Sequence, residues 1–181
     1  MGGSVSAGYA WPREYHDREG RVHGGPVGRT DPRTAGRSAV TEVSGVFAAR
    51  MDAFPRVAAF VEEAGAAAGF GREDCLRLRL VVEELFTNTV AHGHGQDTDA
   101  PVRIACAIRP GEVTLTYEDS APPYDPLAFS LPPDATLAAE QRPPGGFGVS
   151  LVAALARNLR YSYAEGRNRL LLTLRGQAPH P

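Results

Sequence analysis

The sequence contains no lysine; all 19 of its basic side chains are arginine. That absence removes several kinds of chemistry. A Walker A loop, GxxxxGK[ST], needs its lysine against the β- and γ-phosphates, and eukaryotic-type protein kinases need one on a strand beside the nucleotide. Schiff-base catalysis needs a lysine amine. Cysteine is almost as scarce: Cys75 and Cys106 form no CxxC pair and read as reduced, buried small hydrophobes of a cytosolic protein. No apolar run approaches the length of a bilayer span, and the first residues lack a signal-peptide apolar core. No membrane partner is therefore expected, and the expected compartment is the cytoplasm. The net charge of −2 gives no overall basic field, so no direct nucleic-acid partner is expected.

What is present suffices for one domain and a tail: 181 residues, 43% of them hydrophobic. Residues 1–40 hold six arginines against four acids, and their large apolar residues Tyr9, Trp11 and Tyr15 follow no period. This segment reads as a disordered extension, with a partner-binding or autoregulatory arm as the alternative. The domain is expected over residues 41–176, with a short tail at 177–181. Within it the patterns predict a strand at Val43–Arg50, a helix at Phe54–Gly69 and a central helix at Asp74–Gly95. Strands are expected next at Pro101–Arg109 and Glu112–Glu118, then a loop from Asp119 to Gly146, a helix at Phe147–Asn158, and a hairpin of Arg160–Ala164 with Arg169–Arg175. On the central helix, Leu76, Leu80, Val81, Leu85, Val90 and Ala91 are expected to face the core. The order implies an α+β fold: a two-layer α/β sandwich, mostly antiparallel, with helices on one face.

Three stretches carry candidate chemistry. On the central helix, Glu84, Asn88 and His92 recur every four residues and so stack along one side. A carboxylate there can take a proton, and an amide oxygen one turn later suits Mg²⁺; a solvated polar stripe is the plain alternative. Second, Asp119 closes a strand before Ser120-Ala121-Pro122-Pro123-Tyr124. A carboxylate so placed can accept a hydrogen bond from an exocyclic amine such as adenine N6, although Asp, Ser and Pro also make ordinary turns. Third, Gly145-Gly146-Phe147-Gly148 opens a helix, where glycines and free N–H groups can receive a phosphate or simply loosen the helix start. His92-Gly93-His94 with Asp97 and Asp99 could be read as a metal cluster, but in a turn it is discounted.

Taken together, VVEELFTNTVAHG, YEDSAPPYDP, GGFGVSLV and YSYAEGRNRLLLTL resemble the N box, the two glycine boxes and the closing hairpin of the ATPase superfamily shared by gyrase, heat-shock chaperones, histidine kinases and mismatch-repair proteins. Within it, the chain is most similar to the bacterial anti-sigma-factor serine/threonine kinases. The resemblance implies the Bergerat fold, ATP with Mg²⁺, Glu84 as general base and Asn88 as metal ligand. It implies Asp119 and Ala121 at adenine, Gly146, Phe147 and Gly148 on the phosphate side, Thr173 in a water network near adenine, and Arg142 at the γ-phosphate. Implied partners are a sigma factor, an anti-anti-sigma protein of the STAS type, and a second copy in a homodimer. A non-catalytic ATP-dependent switch and a detached histidine-kinase module are the alternatives. Two positions depart from the family pattern. Ala121 stands where glycine is usual, which requires a backbone without positive φ there. Arg157 stands where an acid is frequent.

Overall fold

Alternation of side chains builds the sheet. The computed structural model describes residues 14–16, 22–24, 40–125 and 146–177. Near the N-terminus, β1 (Glu14–His16) pairs antiparallel with β2 (Val22–Gly24). The rest of the expected tail, residues 126–145 with Arg142, and residues 178–181 lie outside the described residues. The main sheet contains β3 (Thr41–Ala48), β4 (Pro101–Arg109), β5 (Glu112–Asp119), β6 (Arg157–Ala164) and β7 (Arg167–Arg175), in the spatial order β3-β4-β5-β7-β6. Every neighbouring pair in it is antiparallel.

Alternate residues of β4, β5 and β7 point to one face and are buried there: Val102, Ile104, Cys106 and Ile108; Val113, Leu115 and Tyr117; Leu170, Leu172 and Leu174. Helices α1 (Phe54–Ala67) and α2 (Arg72–Asn88) cover that face, and α3 (Gly146–Leu155) packs beside α2. Phe47 meets Phe60 edge-on at 5.8 Å between ring centroids, and Phe54 meets Phe86 at 5.9 Å. Each fully buried large side chain contributes about 1.5–3 kcal/mol, so this layer supplies the main cohesion of the domain.

The helical stripe of α2 differs from the expected one. Leu78, Val81, Val82, Leu85 and Phe86 are buried, whereas Leu76 and Leu80 are 52% and 38% exposed. Leu76 and Leu80 form a separate row, turned away from the buried stripe by the 3.6-residue winding. Helix α3 stops at Leu155, and Arg157 opens β6 rather than continuing the helix to Asn158. Asn158, inside β6, sits at φ 53°, in the left-handed region that asparagine tolerates, where the β6–β7 register shifts between Arg157 and Arg160. Strand β7 begins at Arg167 because the β6–β7 connection is only Glu165-Gly166, both at positive φ, as a type I′ turn requires. Cys106 is buried, which pushes its thiol up to about 12, but Cys75 is only half-buried.

The opposite sheet face is polar. Glu118, with 5% of its side chain exposed, is clamped there by Arg169 at 2.6 Å and Arg167 at 2.7 Å, with Arg103 at 3.6 Å. Burial would raise its carboxyl, but hydrogen bonds from Arg169 and Arg167 outweigh this and hold it below its ordinary value. A carboxylate whose folded-state pKa is depressed stabilises above its unfolded pKa and loses that contribution as pH falls through the folded one. Glu118→Ala removes its hydrogen bonds to the half-buried arginines and should cost about 1.5–3 kcal/mol at pH 7 in urea unfolding. The gap to wild type should narrow as pH drops below about 4.3, the ordinary glutamate value.

Candidate nucleotide site

The site forms where the end of α2 meets the end of β5. Thr89 comes after Leu78, Val82 and Leu85 on the buried side of the helix. Its hydroxyl lies 3.1 Å from Leu85 O. From this residue the winding widens into a π turn, Thr89–His94, closed by Gly95 at φ 74°. Gly93 in that turn lies against Ala121: a Cβ on Gly93 would come within 2.7 Å of the Ala121 methyl.

On β5, Tyr117 and Asp119 continue the inward row begun by Val113 and Leu115. Tyr117 Oη donates to Thr89 Oγ1 at 2.9 Å, and Thr89 Oγ1 in turn reaches Asp119 Oδ2 at 3.0 Å. Asp119 Oδ1 accepts from Ala121 N at 2.9 Å and from Asn168 Nδ2 at 2.8 Å. A carboxylate offers about four acceptor positions, so one on Oδ2 is left over. Asn168 faces Asp119 directly in the β5–β7 register. Its Oδ1 accepts from Tyr161 Oη at 2.8 Å and Tyr124 N at 3.1 Å.

These groups line a cavity of about 410 Å³ whose wall includes Leu85, Asn88, His92, Pro122, Pro123 and Leu170. Its lining is apolar with a few convergent polar atoms, the usual composition of a small-molecule site. Burial raises the phenols of Tyr117, Tyr124 and Tyr161, and nearby carboxylates add to it, so all three remain protonated donors at neutral pH.

Of the residues singled out from sequence, Asn88, His92, Asp119 and Ala121 meet at this cavity. Ala121 is buried and has no positive φ, so an alanine fits where a glycine is the expected type. Glu84 is half-buried one turn earlier on α2 and is not part of the cavity wall. Gly146, Phe147 and Gly148 form the first turn of α3. Thr173 is a correction. Leu172 and Leu174 point inward, so Thr173 faces the other side of the sheet, where its hydroxyl meets Thr114 at 3.2 Å. Of the residues in the discounted metal cluster, Asp97 accepts from Met51 N at 2.9 Å and Asp99 pairs with Arg50. The sequence motifs do not single out Thr89, Tyr117, Tyr161 or Asn168. Asn168 and Thr89 do carry a signal, because each is a polar residue at a core position of its own period.

Comparison with known proteins finds relatives of this chain. The sequence profile described as a histidine kinase-like ATPase domain matches residues 47–174. A protein named serine/threonine-protein kinase BtrW, from Bordetella bronchiseptica, is 30% identical over 96 residues, covering 53% of this chain and 67% of that one. The crystal structure of the RsbU and RsbW domains of Rv1364c from Mycobacterium tuberculosis superposes with a TM-score of 0.52 at 20% identity, over 75% of this chain. The match takes in about a third of that longer protein, 32%, and shows a shared fold.

The Gly93–Ala121 contact is open to a size-swap test. Gly93→Ala should lower stability by about 1–3 kcal/mol through overpacking. Adding Ala121→Gly should recover most of that loss, giving a favourable coupling in a double-mutant cycle of thermal melts.

Proposed function

The chain belongs to the histidine kinase-like ATPase family, and from that premise we propose that it is an ATP-dependent serine/threonine kinase that holds a sigma factor and phosphorylates an anti-anti-sigma protein of the STAS type. Membership of this family implies ATP binding. The observation that carries the nucleotide half of the proposal is Asp119, a buried carboxylate on the cavity wall with one acceptor position left on Oδ2. Such a group selects a ligand that donates, as the exocyclic amine of adenine does. The kinase half draws on the relative named a serine/threonine-protein kinase.

The residues present fit ATP at its base end, where an apolar cavity ends on that carboxylate. They also fit Mg²⁺. Mg²⁺ characteristically takes one or two protein oxygens and completes its shell with phosphates and waters. Asn88, on the cavity wall, would supply the protein oxygen. The backbone N–H groups of Gly146, Phe147 and Gly148 in the first turn of α3 would receive phosphate oxygens. Arg142, outside the described residues, is proposed for the γ-phosphate end. Bound ATP supplies the transferable phosphoryl group. Glu84 would take the proton of the attacking serine or threonine hydroxyl, one helical turn from Asn88. The reading implies a cytoplasmic homodimer that contacts neither nucleic acid nor membrane.

One observation favours a second reading, a non-catalytic switch whose partner affinity tracks nucleotide occupancy: Glu84 lies outside the cavity wall. A transfer assay with radiolabelled ATP separates the two, using STAS partners retained in a pull-down. In the kinase reading wild type labels its partner, and Glu84→Gln binds ATP normally but labels it about a hundredfold more slowly or worse. If ATP alters partner binding and no label is transferred, the switch reading stands instead.

The nucleotide assignment has its own test in calorimetry. Asp119→Asn should weaken ADP binding by about 1–3 kcal/mol. Asn88→Ala should weaken ATP binding in Mg²⁺ and leave it unchanged in EDTA; equal loss in both buffers would remove Asn88 as the metal ligand.

A further inference from the structure

We infer that Asn168 sets the base specificity of the cavity, by locking Asp119 so that a single acceptor direction on Oδ2 faces the ligand. The inference rests on the adenine reading of Asp119 and extends it to a residue on a different strand.

The amide of Asn168 is oriented by its neighbours. Nδ2 faces three acceptors: Asp119 Oδ1 at 2.8 Å, Ala121 O at 3.0 Å and Pro122 O at 3.2 Å. Oδ1 faces two donors, Tyr161 Oη at 2.8 Å and Tyr124 N at 3.1 Å. Flipping the amide would set its oxygen against a carboxylate and two carbonyls, and its NH₂ against two donors. Only this orientation sets the two N–H groups among acceptors and the oxygen against donors. The side chain is also buried, 8% exposed, so water does not replace a lost bond without cost.

The lock acts on the cavity in two ways. The bond to Oδ1, with that from Ala121 N, fills one carboxylate oxygen completely. Thr89 takes half of the other, and the remaining position accepts only a donor. A purine with an amino group is accepted there. One with a keto oxygen at the same place, as in hypoxanthine or guanine, meets a carboxylate lone pair and is repelled. The same amide holds the carbonyls of Ala121 and Pro122, so it also fixes the wall that this carboxylate looks across. Without it, Oδ1 has a vacancy, the carboxylate can turn, and water can mediate between it and a keto oxygen. Asn168 is thus a positioning residue that acts through Asp119.

Titration calorimetry of the full chain with ADP, IDP and GDP tests this. Wild type should favour ADP over IDP by about a hundredfold or more, since a site built to hydrogen-bond one group rejects its replacement strongly. Asn168→Ala should bring that ratio below about tenfold, beyond any common loss of affinity. Asn168→Asp gives a signature that a packing role would not produce. At pH 8 two carboxylates face each other and discrimination should collapse. At pH 5.5 they can share a proton, the new carboxyl again donates to Asp119 Oδ1, and the ratio should return to within about threefold of wild type. Tyr117 on β5, Tyr124 and Asp125 after it, Tyr161 and Tyr163 on β6 and His92 beyond α2 are common to both proteins and cancel in the comparison. An unchanged ADP:IDP ratio in Asn168→Ala overturns the proposal, as does a pH-independent ratio in Asn168→Asp. If Asn168→Ala fails to fold, the pH profile of Asn168→Asp decides alone. Failure of wild type to prefer ADP removes the adenine reading beneath it, and is seen before any variant is made.

Discussion

A carboxylate buried without a cation beside it is among the costlier groups a fold can carry, and Asp119 is held here by neutral donors. A hydroxyl from the end of α2, an amide from β7 and a backbone N–H from its own loop supply its hydrogen bonds. Each donor lies on a different element, so the carboxylate fixes how those elements meet. Thr89 must stay at the start of the widened turn, Asn168 must stay opposite in register, and the loop must fold back at Ala121. The cavity is the space these three requirements leave between them.

The residue before it shows the opposite solution. Glu118 and Asp119 are neighbours on β5, and the period of the strand sends them to opposite faces. Glu118 is neutralised by guanidinium groups that match its charge outright. Asp119 is bonded by neutral dipoles alone and so retains an acceptor position to offer a ligand. Two acidic residues in sequence therefore do different work: one secures the polar face of the sheet, the other equips the inner one.

Much of this is legible in the residues themselves. The N box, the strand-end aspartate and the glycine-rich helix start point to the fold and bring Asn88, Asp119 and Ala121 to one cavity, because each sits at the end of an element whose period is plain. Sequence patterns mislead where one local rule overrules another. Leu76 and Leu80 look like core residues until the winding of α2 is counted against its true buried stripe. Asn158 extends a helical pattern that closes already at Leu155, before the strand that opens at Arg157. Thr173 is a candidate by resemblance, although alternation along β7 turns it away from the cavity. Asn168 is the instructive omission: with Leu170, Leu172 and Leu174 it completes an inward row, and a polar residue in such a row has a partner to find. Its particular partners, two tyrosines and a carboxylate, depend on a two-residue turn and a pairing register that composition does not express.

The widened turn at Thr89–His94 gives this part of the chain an unusual relation to its own length. A π turn accommodates one residue more than α-helical winding would over the same rise. Removing any one residue between Asn88 and Gly93 lets the helix close to its ordinary winding of about 100° per residue, and the chain beyond stays nearly in place because the turn had absorbed the extra residue. Gly93 would then remain beside Ala121, while the residues between Thr89 and Gly93 would be shared out differently between cavity and solvent, although every remaining side chain was unaltered. In this segment the count of residues is itself part of the binding site, and an alignment that slides a gap through it misassigns the wall of the cavity.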